Sequence, residues 1–279
     1  MSTVALSLAL GAAFLHAFWN AIVKAAGDRA VVLASISAGH TVIGLLLVTN
    51  VPLPDVASWP YILASTLIHY AYYVFLFFAY RWGDLSQVYP ISRGIAPMLV
   101  ALGAFVFAAE TLSPTAMTAI VLISLGIAAL VLGSRNRAPR EAVLAALATG
   151  VMIASYSVVD GIGVRLAGTP FGYMGWLFLL EFPVVLFVLA RRPEGVRAIP
   201  RRTMMLGFFG GICATLAYGL VIYAKTIAPL AAVSAIRESS VIVAALIGVW
   251  FFGERPWQWR IICAAVVALG VILLALAPG

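Results

Sequence analysis

A few polar side chains in this sequence sit inside runs that are otherwise hydrocarbon, and their types and spacing define the chemistry within reach. Glu181 lies ten residues into the run that opens at Phe171, with Pro183 two positions beyond. A carboxyl group removed from water favours its neutral form, so it can carry a proton or hold a cationic amine; a neutral glutamate bonded to a neighbouring helix is the structural alternative. Arg93 and Arg237 stand early in two further apolar runs. A guanidinium keeps its charge and forks onto carboxylate or phosphate, so the pair can grip an anionic group from two sides. The alternatives are snorkelling to a span end or neutralisation by Glu238, beside Arg237. On a helix, His16, Trp19, Asn20 and Lys24 share one face, and so do His69, Tyr72, Tyr73, Leu76 and Tyr80. Two polar-aromatic faces on separate helices suit a small amine or zwitterion, held by cation–π contact and hydrogen bonds, although single aromatic rings serve packing equally well. Tyr156 and Asp160 are spaced i, i+4 before Gly161 and Gly163, where a helix could loosen into a binding or gating turn, unless Asp160 merely ends a span.

These residues need a scaffold, and composition names it. Of 279 residues, 64% are apolar and 10% charged, whereas soluble domains average about 45–50% and about 25%. The mean hydropathy of +1.09 excludes both a soluble globule and a disordered chain, so the bilayer must be the solvent. Apolar runs predict ten helical spans near 4–23, 31–50, 59–80, 87–108, 115–133, 141–162, 171–190, 203–223, 230–252 and 259–277, separated by Gly, Pro and charged punctuation. These lengths fit helices and not the ten-residue strands of a membrane barrel. The first run lacks a basic flank and a small-residue cleavage site, and reads as a retained span. The formal charge of +7 contains no basic run interleaved with stacking aromatics, so no nucleic-acid partner is expected. No metal-ligand spacing and no Walker motif occurs, which predicts no metal, no cofactor and no ATP hydrolysis in the chain. Cys213 and Cys263 read as small core residues.

An internal repeat organises the spans. A shift of 144 positions places Arg81 on Lys225, Arg93 on Arg237, Phe107 on Phe251, Glu110 on Glu254 and Gly126 on Gly270; a shift near 140 pairs Gly11 with Gly150, Asn20 with Asp160, and Glu181 with His40 or Thr41. Two units follow, 1–140 and 141–279, each of five spans. An odd number of spans inverts the second unit in the membrane, the symmetry of many secondary transporters, whose site lies between the repeats. His40 thereby joins Glu181 as a candidate for proton coupling. Thirteen Lys and Arg residues flank one set of connections and two, Arg165 and Lys225, the other. That imbalance predicts a cytoplasmic Arg191–Arg202 connection and external termini. Glu110 and Glu254 read as loop caps or partners of residues such as Arg255, and Gly207 with Gly211 as a close-packing face.

Ten short-looped spans, the five-plus-five repeat and the acids of Ala108-Ala109-Glu110-Thr111-Leu112 and Phe252-Gly253-Glu254-Arg255-Pro256 resemble the drug/metabolite transporter superfamily, EamA type, over essentially the whole chain. The segment His16-Ala17-Phe18-Trp19-Asn20 with Lys24 is more weakly similar to permeases associated with phosphonate utilisation. The resemblance implies an all-α basket of ten transmembrane helices around a central cavity, and transport of small metabolites without nucleotide hydrolysis. It also implies cytoplasmic termini for many relatives, against the charge count here. The expected function is a secondary transporter, not an enzyme, in the cell membrane. It would move a small polar metabolite (amino acid, amine or related zwitterion) by alternating access, with proton coupling as an open feature. A polytopic enzyme on lipid-linked substrates and a membrane scaffold are the alternatives: the first wants clustered acid and base groups, and the second gives no reason for Glu181. The expected partners are a small-molecule substrate and the bilayer, and a homodimer is left open.

Overall fold

The computed structural model describes residues 1–26, 29–133, 138–191, 200–250 and 256–277; the side chains of 21–26, 29–30, 32–33, 85–86 and 248–249 also lie outside the description. Helices form where the apolar runs are: α1 (Thr3–Ala26), α2 (Arg29–Asn50), α3 (Trp59–Trp82), α4 (Leu85–Ala108), α5 (Pro114–Ala128, ending in a 3-10 turn at Ala129–Gly133), α6 (Arg140–Arg165), α7 (Pro170–Leu179), α8 (Phe182–Ala190), α9 (Arg201–Ile227), α10 (Leu230–Arg237), α11 (Ser240–Trp250) and α12 (Trp257–Leu276). Proline opens most of them, because a first-turn residue has no intrahelical use for its N–H. Ser113 and Thr169 cap α5 and α7 by accepting from the amides of Ala116 (3.3 Å) and Gly172 (3.2 Å).

Among the described residues, nine apolar stretches are long enough to cross a membrane, and Ala34–Asn50 of α2 is a shorter tenth. Phe105, Phe107, Leu186, Phe187, Ile272 and Leu276 are each more than half exposed. Such surfaces suit hydrocarbon and would be unfavourable in water. The fold is therefore the all-α membrane bundle expected.

Two spans depart from expectation. The seventh is interrupted at Leu180–Glu181, between α7 and α8, and the ninth at Glu238–Ser239, between α10 and α11. In the seventh, Pro183 lacks the N–H that would reach the Leu179 carbonyl, Val184 N donates to Glu181 O (3.0 Å) and not back to Leu180, and the Leu180 carbonyl accepts the Tyr70 hydroxyl from α3. In the ninth the chain crosses the break on tight turns, Glu238 N donating to Ala235 O (3.1 Å) and Ser239 N to Ile236 O (2.9 Å). Conversely, α6 runs unbroken through Gly161 and Gly163, where loosening was expected. Its glycines admit neighbours instead: a methyl at Gly161 would meet Leu230 Cδ2 at 2.4 Å, and one at Gly163 would meet Tyr61 Cβ at 2.5 Å.

Several helix contacts come in exchanged pairs. α3 lies against α6 and α1 against α9, contacts exchanged by pairing the first five spans with the last five; α5 packs on its own counterpart α12, and α2 on α7 and α8. At the α5–α12 contact, a methyl on Gly126 would sit 2.9 Å from Val267 Cγ2, and one on Gly270 2.7 Å from Ile123 Cγ1. Positions 123 and 267 are themselves 144 apart, so the two glycine contacts are one contact seen twice. Gly211 of α9 carries the expected close approach, since a methyl there would lie 2.7 Å from the Ser35 carbonyl of α2.

Candidate functional site

The helices line a partly open cavity of about 100 Å³. In that measure, the volume open to a water's centre, about 10–15 Å³ holds one water, so several waters or a small metabolite fit. Its wall is drawn from both halves of the chain: His16 and Trp19 of α1, His40 of α2, His69, Tyr72 and Tyr73 of α3, and Arg93 of α4 face Tyr156 of α6, Glu181 at the α7–α8 break, Tyr218 of α9 and Arg237 of α10. Of the residues singled out in the sequence for binding or proton coupling, Asn20, Asp160 and Tyr80 do not line this wall, and the side chain of Lys24 lies outside the described residues. Asn20 Nδ2 turns back to the His16 carbonyl at 2.6 Å. Asp160, fully buried behind the wall, accepts the hydroxyls of Tyr173 (2.9 Å) and Tyr218; it is neither a cavity residue nor a span-end residue in the interface.

One end of the cavity is cationic. Arg93 Nη1 donates to Glu238 Oε1 at 3.0 Å, and Arg237 donates to the same oxygen from Nη2 at 2.9 Å and from Nε at 3.2 Å. All three side chains are buried, so neither arginine snorkels. Arg93 Nη2 also stands 2.7 Å from His16 Nε2, while Trp19 Nε1 donates to His16 Nδ1 at 3.2 Å. Helices hold these groups in place: one turn separates His16 from Trp19, and the break after Arg237 lets Glu238 turn between the two guanidinium groups.

The other end is anionic. Glu181, with no partner evident in the sequence, receives the Tyr73 hydroxyl on Oε2 at 2.9 Å and has His40 Nδ1 at 2.8 Å from that oxygen. The His40 contact lacks hydrogen-bond angles, and neither ring nitrogen has a hydrogen-bond partner among the described residues; the ring stacks on Phe178 at 5.0 Å. His69 Nδ1 lies 2.8 Å from the Ser65 carbonyl. A carbonyl only accepts, so Nδ1 carries the proton and Nε2 is left as the acceptor. Between the ends runs an aromatic wall in which Tyr156 stacks on His69 at 4.2 Å and meets Tyr72 and Tyr218 edge-on, each at 5.8 Å.

Tyr218 was not singled out in the sequence, and Lys225 and Glu110 were read differently. Tyr218, with Ala214 and Ala217, forms an i, i+3, i+4 face of α9 on the cavity, a spacing present in the sequence but carrying no polar residue except the tyrosine. Lys225, assigned to a connection, is fully buried in α9 and donates from Nζ to the Ser157 carbonyl at 2.8 Å. Glu110 meets Arg165 Nη2 at 2.8 Å and accepts the Leu230 amide at 2.8 Å, so its partner is Arg165; Glu254 and Arg255 lie outside the described residues. Just before Glu110, Ala109 takes a left-handed conformation at φ 52°, which turns the chain towards that contact.

Comparison with known proteins agrees with this architecture. A solved crystal structure superposes with a TM-score of 0.78 at 18% identity, covering 99% of this chain and 98% of the other; at that identity it speaks to the fold alone. No curated protein matches the sequence. The family model of the EamA-like transporter family matches residues 140–276. That second half of the chain is similar to the EamA-like transporters, a family of membrane transporters of small molecules.

Proposed function

We propose that the protein is a secondary transporter that carries a small polar metabolite, of the amino acid, amine or related zwitterion class, through this cavity by alternating access. The supporting observation is a partly open cavity walled by buried side chains of opposite charge from both halves of the chain, Arg93 with Arg237 and, apart from them, Glu181. Glu238 cancels one of the two guanidinium charges, and a buried charge left uncompensated is unfavourable, so packing alone gives no reason for the second. In this reading residues 1–140 and 141–279 are the two moving units, the substrate sits between them, and the cavity opens to each side in turn as they rock. His16, Trp19, His69, Tyr72, Tyr73 and Tyr156 contact the substrate, Asn20 and Asp160 brace that shell from behind, and Glu181 with His40 exchanges a proton. With Lys225 buried, Arg165 alone remains in the charge-poor connections, which strengthens the assignment of external termini in the cell membrane.

The test is flux of labelled amino acids and amines into proteoliposomes, with and without a pH gradient, for the native chain and for Ala217→Trp, which places an indole on the cavity wall. Saturable flux lost in a variant that keeps its Tm is the expected result. Flux that ignores the indole, or no flux of any compound in these classes, would overturn the reading.

A further inference from the structure

The repeat is broken at the position that matters most for charge. Arg93 and Arg237 are 144 residues apart, and the same shift places Gly94 on Glu238. A symmetric site would have two carboxylates for two guanidiniums, or none; here one carboxylate serves both. Gly94 has no room to supply the second, because a methyl there would already stand 3.1 Å from the Ala128 amide nitrogen and 3.3 Å from its Cα, which are backbone atoms.

The consequence is a charge count. Guanidinium groups stay protonated in proteins, and the carboxylate accepting from both is ionised, so this end of the cavity carries a formal charge of one positive unit. Both arginines line the cavity, whereas Glu238 lies behind them with 1% exposure. Hydrogen bonding gives the same answer independently. Trp19 Nε1 and the Arg93 guanidinium are donors only, and they face the two nitrogens of His16. A neutral imidazole accepts at one nitrogen, so one of the two donors is left without an acceptor. At the far end Glu181 provides one negative unit beside His40 and Tyr73.

We propose that Glu238 sets the charge selectivity of the cavity. By cancelling one of the two guanidinium charges, it tunes the site to a group of one negative charge, such as a carboxylate, held at Arg93, Arg237 and His16, with the ammonium of the same small zwitterion directed to Glu181. Dianions are disfavoured because only one positive charge is uncompensated. This assignment rests on the cavity being the substrate site. Glu238 touches the arginines and not the substrate, and is a positioning residue.

A charge cycle tests it. The purified full chain is titrated with γ-aminobutyrate, butyrate, butylamine and malonate, read by thermal shift and calorimetry, for the native protein, Glu238→Gln, Arg93→Gln and the double variant Arg93→Gln/Glu238→Gln. The native chain is expected to bind the zwitterion better than either singly charged probe, and Arg93→Gln to weaken it at least about tenfold. The double variant restores the single positive charge and should recover most of that loss, while Glu238→Gln alone moves preference towards malonate. Where a buried imbalance prevents folding, Arg237→Gln/Glu238→Gln offers the same count from the other repeat. A double variant no tighter than Arg93→Gln, or a native chain that binds butylamine as well as γ-aminobutyrate or binds no probe, overturns the assignment. Binding unaffected by Ala217→Trp would instead overturn the cavity as the site, whereas binding lost in Ala217→Trp without recovery in the cycle would leave the cavity standing and refute the role of Glu238.

Discussion

Glu181→Gln separates coupling from architecture, because the structure shows what the substitution keeps. Glutamine retains the shape and one carbonyl oxygen, so the Tyr73 hydroxyl, 2.9 Å from Oε2, still has an acceptor. What is lost is the charge. Hydrogen bonds to charged groups contribute about 1.5–3 kcal/mol and those between neutral groups about 0.5–1.5, so the fold loses on the order of 1–1.5 kcal/mol for this bond. Loss of the charge at the His40 contact, 2.8 Å from the same oxygen, adds to this cost. A stability of about 5–15 kcal/mol for a typical domain tolerates the change, and the variant should be recovered folded.

Function should respond more strongly. Removing one member of a buried charge pair at a binding site costs about 2–5 kcal/mol. The lower figure applies to a cavity with room for water, and it corresponds to roughly thirtyfold weaker binding of a cationic group. In proteoliposomes, Glu181→Gln is expected to exchange labelled substrate across the membrane when its concentration is raised, but not to concentrate it in response to a pH gradient. Unchanged gradient-driven accumulation would refute the coupling role and leave the coupling residue among His16, His40 and Asp160.

Three further outcomes are expected. Trp19→Ala and Tyr73→Ala should each weaken binding by about 0.5–2 kcal/mol, the range for a cation–π contact. Phe14→Ala and Phe77→Ala, on exposed faces of the same helices, should leave binding unchanged; equal losses measured by calorimetry would mean general destabilisation. A cysteine at Gly195 should resist an impermeant thiol reagent in intact cells while one at Pro54 reacts, and equal labelling rates would reverse the orientation. Gly211→Ala should lower the Tm, because its methyl would press on the Ser35 carbonyl at 2.7 Å and overpacking typically costs about 1–3 kcal/mol. Gly11→Ala, whose nearest neighbour is Leu220 Cδ1 at 3.7 Å, should be neutral or raise the Tm through helix propensity; the reverse order would contradict the packing.

How much of this was visible in the sequence follows from what burial costs. A charge in hydrocarbon is conspicuous because nothing apolar explains it, so Glu181, Arg93 and Arg237 were legible from their surroundings alone. The helical faces of His16 with Trp19, and of His69 with Tyr72 and Tyr73, followed from periodicity. The breaks were less legible: Pro183 marked the one at Leu180–Glu181 without showing that the ladder stops there, and nothing local marks Glu238–Ser239. Lys225 was misplaced because counting loop charges treats any cation near a span end as wetted, whereas α9 carries it inward, where Asp160 is close enough to interact with it. Partners distant along the chain, such as Arg93 with Glu238 or Tyr73 with Glu181, are decided by packing, and no periodicity encodes them.

The repeat nevertheless held a signal of a different kind. Duplication supplies matching scaffolds, and packing keeps them matched, as the reciprocal contacts of Gly126 and Gly270 show. A cavity whose two halves were identical would offer no charge difference to a ligand with unlike ends. Chemistry must then enter where the copies differ: Glu238 against Gly94, Glu181 against His40, Asp160 against Asn20. Each difference lies on the cavity or next to a residue that lines it: Glu181 makes one end anionic, and Glu238 cancels one of the two guanidinium charges that the matched Arg93 and Arg237 bring to the other. Polar positions that differ between the two halves therefore point to a site as well as the matched Arg93 and Arg237 do.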